Sequence, residues 1–173
     1  MAQQTYRISK GVLLPLVLVA ILLLVLLGVS LVNGEVLLKL IILVAVLIPV
    51  VLLLLTNLKR RVDLSAEGVR VVRPVGEKYF RWDELTSFEA VSVRGRAFVT
   101  LCAGEDFVII SNSYEKFADL VEAIAGHLPE KAVSPEANRL IEHPTSALAG
   151  VLPLWFGVLA LIYILWHQFA AGN

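Results

Sequence analysis

Three long apolar blocks constrain this chain more than any other feature. The first runs from Gly11 to Val32 without a charged residue, the second from Val36 to about Leu55, and the third from about Ala147 to Phe169. At a rise of about 1.5 Å per residue, a helix formed by each block can cross a hydrocarbon layer of about 30 Å. The chain is 58% hydrophobic and 17% charged, and the blocks account for this imbalance. The sequence therefore predicts three transmembrane helices.

The first two blocks predict a helical hairpin over residues 11–57, because only Asn33-Gly34-Glu35 separates them. A cleaved signal peptide is the alternative for the first block, since Arg7 and Lys10 precede it. However, its apolar run is longer than the roughly 7–15 residues of a signal peptide, and no small-x-small cleavage site follows. We therefore expect a retained helix.

Lysine and arginine residues predict the orientation of the hairpin. Basic residues precede it in segment 1–10 and follow it at Lys59, Arg60 and Arg61, whereas the connecting loop has none. Because basic flanks stay in the cytoplasm, we expect an inner-membrane protein with a cytoplasmic N-terminus and an outward C-terminal span, residues 147–173. Lys59, Arg60 and Arg61 are then expected to contact anionic membrane lipids.

Polar and small residues inside the spans do not indicate a transport path. Lys39 lies near the outer end of the second span, where its stem can reach the headgroups. A lipid- or ion-handling transport component would need polar residues along a path through the bilayer. Gly150 and Gly157 are seven residues apart, so they share one face of the third helix and are predicted to allow close helix packing.

Residues 58–129 are predicted to form a separate, mostly β domain. Short β-rich runs alternate with turn signals at the spacing typical of a sandwich or barrel. Gly68, Gly95 and Gly104 are expected to supply the positive φ angles of tight turns. The predicted strands are Val62–Leu64, Val69–Arg73, Lys78–Trp82, Thr86–Val93, Ala97–Cys102 and Phe107–Ser111.

An amphipathic helix is predicted after the last strand. Asn112 and Glu115 have the spacing of a capping box, and Pro129 ends the pattern. One apolar stripe at helical spacing comprises Phe117, Leu120, Val121, Ile124 and Leu128. The helix is expected to cap a small β-barrel or sandwich, and residues 130–146 are expected to be a linker. The predicted fold class is an α+β membrane protein with three transmembrane helices.

Two segments carry a resemblance to a known family. Residues 63–70, DLSAEGVR, and residues 80–88, FRWDELTSF, are similar to the opening strands and a later motif of bacterial pleckstrin-homology-like (PH-like) domains. Such domains often follow a transmembrane hairpin, and the resemblance implies a barrel closed by a C-terminal helix. It covers about 70 of the 173 residues. The six predicted strands are one fewer than in a eukaryotic PH domain, and the third span lies outside the family pattern.

No sequence pattern indicates catalysis or a cofactor. Signatures such as G-x-S-x-G, the Walker loop, H-E-x-x-H and C-x-x-C are absent from the sequence. The single cysteine, Cys102, excludes an internal disulfide framework and a multi-thiolate metal site. A formal net charge of zero gives no basic field for nucleic acid. We therefore expect a protein that is not an enzyme and needs no metal or cofactor.

The sequence favours a membrane-anchored module that binds or scaffolds a protein at the cytoplasmic face. Arg94 and Arg96 flank a predicted hairpin tip, a position where loops often carry recognition. The alternative at this tip is a solvated turn whose charge Glu105 and Asp106 neutralise. The alternative function is an accessory subunit of a larger membrane complex, bound mainly through its transmembrane helices.

Overall fold

A computed structural model describes residues 4–143 and 148–171, which contain both helices and strands. These residues form two compact units. The β-rich unit contains residues 4–10, 58–143 and 148–150, and the helical unit contains residues 11–57 and 151–171. The elements are β1 (Gln4–Arg7), α1 (Lys10–Val32), α2 (Leu37–Lys59), β2 (Arg61–Leu64), β3 (Gly68–Arg73), β4 (Gly76–Arg81), β5 (Ser87–Val93), β6 (Arg96–Ala103), β7 (Asp106–Ser111), α3 (Phe117–Ala125), a 3-10 helix (Glu130–Ala132), α4 (Pro135–Glu142) and α5 (Leu148–Ala171).

The three predicted apolar helices are confirmed. The stretches Lys10–Val32, Leu37–Lys59 and Gly150–Ala170 are each long and apolar enough to cross a membrane. The predicted start of the third span, Ala147, and the end of its external tail, 172–173, lie outside the described residues. The chain is therefore a β-rich unit joined to three helices of membrane-spanning length.

The core of the helical unit lies between α1 and α5. Val19 and Leu23 of α1 are buried together with Val158 of α5, and α2 adds partly buried side chains around them. The buried residues of α5 recur every seven positions, at Val151, Val158 and Leu165. A repeat of seven keeps one helix face directed at its neighbour. Helix α2, in contrast, has no fully buried residue.

Lys39 has an acidic partner that the sequence did not indicate. Its Nζ lies 2.6 Å from Glu35 Oε1, one helical turn earlier in the connecting loop. Gln168 of α5 donates to the same oxygen at 2.9 Å. Lys39, the charged residue predicted inside a span, is thus paired with a carboxylate at the end of the helical unit.

Two antiparallel sheets form the β-rich unit, with strand orders β1-β2-β3-β4 and β5-β6-β7. All six predicted strands are confirmed, with ends that differ by at most two residues. Hydrogen bonding among the described residues does not join the sheets into one closed barrel. Apolar side chains from both sheets and from α3 form the core, including Val69, Val71, Phe88, Leu101, Ile110, Leu120 and Ile124.

Strand β1 comes from the segment that precedes the first helix, where no strand was predicted. It pairs antiparallel with β2, and Thr5 Oγ1 donates to Asp63 Oδ1 at 2.8 Å. The chain continues along the β7–α3 connection, where Ile8 bridges Tyr114 and is only 2% exposed. The β-rich unit is therefore assembled from both flanks of the hairpin.

Gly68 is needed for a reason other than the predicted positive φ. Positive φ occurs at Gly95 and Gly104, as predicted, but not at Gly68. A Cβ atom at Gly68 would instead lie 2.2 Å from the carbonyl oxygen of Phe80 on the neighbouring strand. The backbones of β3 and β4 thus approach too closely for any side chain at this position.

Helix α3 begins later than the predicted capping box. Asn112 lies five residues before the helix, and its Nδ2 donates to the carbonyl oxygen of Gly95 at 3.1 Å. Lys116 is the N-cap instead, with positive φ and no side-chain cap. The capping-box prediction is therefore wrong, because the β5–β6 turn competes for the asparagine. The predicted apolar stripe is buried throughout, at Phe117, Leu120, Val121, Ile124 and Leu128.

The predicted linker 130–146 contains ordered structure that covers an edge of the second sheet. The Ser134 N–H donates to the carbonyl oxygen of Phe88 at 2.9 Å, and the Ala90 N–H donates to Ser134 Oγ at 3.1 Å. Helix α4 follows and buries Ala137 and Leu140. Covering an edge strand removes a site for unwanted pairing. Residues 144–146 of this predicted linker lie outside the described residues.

Candidate partner-binding surface

The outward side of the β5-β6-β7 sheet carries large apolar side chains. We call this surface the apolar face; it comprises Val91, Val93, Phe98, Phe107 and Ile109. The strand register places Val91 opposite Phe98, Ile109 opposite Thr100 and Phe107 opposite Cys102, and Glu89 is also exposed on this side of the sheet. Four of the five side chains are 54–55% exposed, and Phe98 is 38% exposed.

Such a face is unusual for a sheet that already buries its other side. The inward residues of the same strands are almost fully buried, and an antiparallel sheet of this kind normally alternates them with polar residues. The first sheet does so, since Asp63 and Arg70 are cross-strand neighbours on its outward side. Large apolar side chains grouped on one side of a sheet are typical of interaction surfaces, because covering them stabilises a complex by about 25 cal/mol per Å² of apolar area.

The predicted contact residues Arg94 and Arg96 border this face. Arg94 and Gly95 have φ angles of 51° and 78°, and positive φ at both central residues is typical of a type I′ hairpin. The Asn112 hydrogen bond to Gly95 anchors the turn from β7. Both arginines are exposed, and Val93 immediately precedes the turn. The structure therefore places two cations directly beside an apolar surface.

Ion pairs from Glu105 and Asp106 to these cations, the alternative at this tip, are not seen among the described residues. Within residues 4–143 and 148–171, no carboxylate forms an ion pair with Arg94 or Arg96. Glu105 lies in the turn at the other end of β6, and Asp106 pairs with Lys78 of β4. The two guanidinium groups are thus available to carboxylates of another molecule.

The three predicted membrane-surface residues lie where α2 passes into the first sheet. Lys59 is the last residue of α2 and Arg61 the first of β2. Arg61 Nε lies 3.1 Å from Asp63 Oδ2, so its charge is partly offset. Burial raises the pKa of the Tyr114 hydroxyl, and the charge of Arg60 acts in the opposite direction.

The two glycines predicted for helix packing have different surroundings. A Cβ atom at Gly157 would lie 3.8 Å from Val19 Cγ2, which is ordinary contact with α1. At Gly150 no atom lies within 4 Å of such a Cβ. The structure thus places Gly157 against another helix, whereas Gly150 faces open space.

His127 and Trp82 make structural contacts within the β-rich unit. The His127 ring stacks on Trp82, with centroids 4.2 Å apart, and His127 Nδ1 lies 2.7 Å from the carbonyl oxygen of Ala123. Trp82 Nε1 donates to the carbonyl oxygen of Ser65 at 3.0 Å. Across the described ranges, no group of three or more His, Cys, Asp or Glu side chains is arranged to hold a metal ion.

An open groove of about 660 Å³ lies between β1 and the start of α3. Glu115, Asp119 and Glu122 line one side, and Arg7 and Tyr6 line the other. Burial, and then the charge of Asp119, raises the pKa of the Tyr6 hydroxyl. Because β1 was not predicted, no sequence signal pointed to this groove. Its mixed charges favour no particular ligand.

The apolar face was missed at the sequence level, although a signal was present. Residues 107–110 read Phe-Val-Ile-Ile, a continuous apolar run in which both faces of the strand are hydrophobic. A strand with one solvated face alternates instead. Such a run therefore indicates either a strand buried on both sides or an exposed apolar surface.

Comparisons with models of protein families, with curated proteins and with solved structures found no match. The chemistry of the surface must therefore indicate its use. A largely apolar sheet face with two exposed arginines at its border is similar in composition to a protein–protein contact, in which an apolar centre is surrounded by a polar rim.

Proposed function

We propose that this chain is a membrane-anchored, non-enzymatic module that binds a protein partner at the cytoplasmic face of the membrane. The observation that carries the proposal is the exposed apolar face beside Arg94 and Arg96. This surface lies on the β-rich unit, apart from the three helices of membrane-spanning length. A partner covering the face would remove its apolar area from water.

The β-rich unit is proposed to be PH-like. Its sheets contribute four and three strands, and the amphipathic helix α3 follows the last of them. The six predicted strands were one fewer than in a eukaryotic PH domain, and β1 supplies a seventh. This agreement in element order supports the assignment, which concerns the fold and leaves the function to the surface.

Strand pairing supports the proposed topology. Because β1 and β2 form one sheet and flank the hairpin, both ends of the hairpin must leave the membrane on the same side. Basic residues on both flanks favour the cytoplasm of a bacterial inner membrane for that side. The partner would then be a cytoplasmic protein or the cytoplasmic part of a membrane protein.

The chemistry of the partner follows from the face. An apolar patch on the partner would cover Val91 and Ile109, while carboxylates beside that patch would pair with Arg94 and Arg96. Charge pairs at such a rim act mainly on association rate and specificity, whereas the apolar centre supplies most of the affinity.

The double variant Val91→Thr with Ile109→Thr tests the proposal in the full-length protein. Threonine keeps the β-branched shape but removes exposed apolar surface, so the strands should be retained. We expect proteins that co-purify with the wild-type chain in mild detergent to be lost, with the melting temperature nearly unchanged. Tyr79→Thr, at an exposed position on the first sheet, is the control and should retain them.

An accessory subunit of a larger membrane complex is the alternative function. Helix α2 has no fully buried residue, so its apolar surface is free to contact lipid or the helices of another protein. If partner recovery survives the threonine variant but collapses when Gly150, which faces open space, becomes leucine, binding runs through the spans. That outcome would replace the proposed function with the alternative.

A further inference from the structure

A polar cluster lies inside the helical unit, where the α1–α2 loop meets α5. Lys39 Nζ and Gln168 Nε2 both donate to Oε1 of Glu35, at 2.6 Å and 2.9 Å. The Glu35 N–H in turn donates to the carbonyl oxygen of Ser30 at 3.1 Å. Glu35 is therefore bonded to all three helices of the unit. The charges of Glu35 and Lys39 offset each other, so the cluster has no net charge.

Helix packing places Ser30 and Gln168 at the same level of the unit. A Cβ atom at Gly157 would lie 3.8 Å from Val19 Cγ2, so α1 and α5 are in contact there. Ser30 comes eleven residues after Val19, and Gln168 comes eleven residues after Gly157. Because eleven residues make about three full turns, both side chains return to the sides on which the two helices face each other. The bonds that both residues make to Glu35 require the same arrangement.

Two polar atoms of this cluster are buried and have no hydrogen-bond partner among the described residues. They are the hydroxyl oxygen of Ser30, a residue that is 0% exposed, and Oε1 of Gln168. A hydroxyl inside a helix can donate to the carbonyl oxygen four residues earlier, as Thr56 does to Leu52 at 2.6 Å. Within the part of the chain that the structure describes, Ser30 makes no such bond. Because a buried polar atom without a partner is destabilising, a bound molecule that satisfies both atoms would stabilise the unit.

We infer that a water molecule binds between α1 and α5 and bridges the Ser30 hydroxyl to Oε1 of Gln168. The amide oxygen of Gln168 can only accept a hydrogen bond, and a water molecule can donate to it while it also bonds to the hydroxyl. A neutral ligand fits the site because the Glu35–Lys39 pair leaves no excess charge. A small cation would instead add a second positive charge near the Lys39 ammonium group. The inference is independent of the proposed protein contact, since it concerns the helical unit.

The bridged cluster fixes the position of α5 along α1. If α5 moved by one turn, about 5.4 Å, Gln168 would leave Glu35 and the bridging water, and buried polar groups on both helices would lose their partners. Apolar contacts discriminate less between such positions, because α1 carries leucine or valine at most of its positions. The water site therefore specifies how the third helix packs against the hairpin.

Ser30→Ala in the full-length protein tests the inference through the sign of its effect. We expect the melting temperature in mild detergent to fall by about 3 °C, because the water loses one partner and no longer satisfies Gln168 Oε1. If no water bridged the hydroxyl, the substitution would instead remove a buried group without a partner, and the melting temperature would rise. Thr56→Val removes a hydroxyl that bonds to its own helix, and this matched control should change the melting temperature little.

Gln168→Leu provides the second arm, because it removes the other end of the bridge. Ser30→Ala should then lower the melting temperature in the wild-type background but not in the Gln168→Leu background. Equal losses in both backgrounds, or a rise or no change in the wild-type background, would overturn the inference. The wild-type melting temperature should be the same in sodium and potassium buffers of equal ionic strength. A dependence on sodium that Ser30→Ala abolishes would show that a cation occupies the site, and it would also overturn the inference.

Discussion

The close approach of the β3 and β4 backbones determines which residue position 68 can accept. Gly68→Ala would place a methyl group 2.2 Å from the Phe80 carbonyl oxygen, so the strands must separate or the turn must shift. Because overpacking against backbone cannot be relieved by a rotamer change, we expect the free energy of unfolding to fall by about 3 kcal/mol. Thermal melting of the full-length protein in detergent measures the loss.

Gly126→Ala is the matched control for that substitution. Gly126 has a φ of −65° at the end of α3, and a Cβ there would lie 3.4 Å from the Glu122 carbonyl oxygen. A small change in either direction is expected, within about 1 kcal/mol. If Gly68→Ala and Gly126→Ala have the same melting temperature, the backbones of β3 and β4 do not approach as closely as the structure shows.

Burial of single residues could be predicted from the sequence more reliably than their hydrogen bonds. The α3 stripe follows from helical spacing alone, because burial depends on which side of an element a residue occupies. The hydrogen-bond partner of Asn112 does not follow from the sequence, because its side chain can either cap a helix or donate to the Gly95 carbonyl oxygen. Likewise, turn residues identified the Arg94–Arg96 tip. The position of Asp106, which begins β7 and pairs with Lys78 instead, could not be predicted from them.

Among the elements, local pattern predicted the six strands after the hairpin but not β1. Strand β1 spans four residues, and its partner strand lies more than fifty positions away, beyond two membrane helices. Periodicity carries no information about such distant pairing. Helix α4, in contrast, had an overlooked signal, because Ser134 caps it and Pro135 occupies its first turn.

These two elements change the expected behaviour of the isolated domain. A fragment of residues 61–130 lacks β1 and α4, which leaves Val62 and Phe88 without their covering strand and segment. A better fragment joins residues 4–8 to 60–143 through a short turn that replaces the hairpin, since Arg7 and Arg61 are cross-strand neighbours. We expect it to unfold cooperatively in urea, and we expect the shorter fragment to lack a cooperative transition.

Ile8→Asp in the rejoined fragment isolates the contribution of the N-terminal segment. Ile8 is almost fully buried against the β7–α3 connection, so an unpaired carboxylate there should cost about 3 kcal/mol or more. Thr5→Val, on the exposed strand β1, serves as a control with a change below about 1 kcal/mol. Equal stability of the two variants would mean that the segment does not close the unit.

At the scale of the whole molecule, the pairing of β1 with β2 adds a geometric constraint to the topology that the basic residues predict. The positions of lysine and arginine predicted which side of the membrane each flank occupies, but this prediction was made for each flank separately. The β1–β2 pairing requires both flanks to meet in one sheet, so the hairpin is an insertion between two neighbouring strands of a single unit. The function, by contrast, could not be predicted from composition and topology, because proteins with many different roles share them.

Thiol labelling in intact cells tests this central claim most directly. Single cysteines at Gln4, Gly34 and Ala66, each in a Cys102→Ser background, are exposed to a membrane-impermeant reagent before and after permeabilisation. We predict that Gly34 labels in intact cells, whereas Gln4 and Ala66 label only after permeabilisation. Labelling of Gln4 and Ala66 from opposite sides would contradict the shared sheet, and external labelling of both would reverse the orientation.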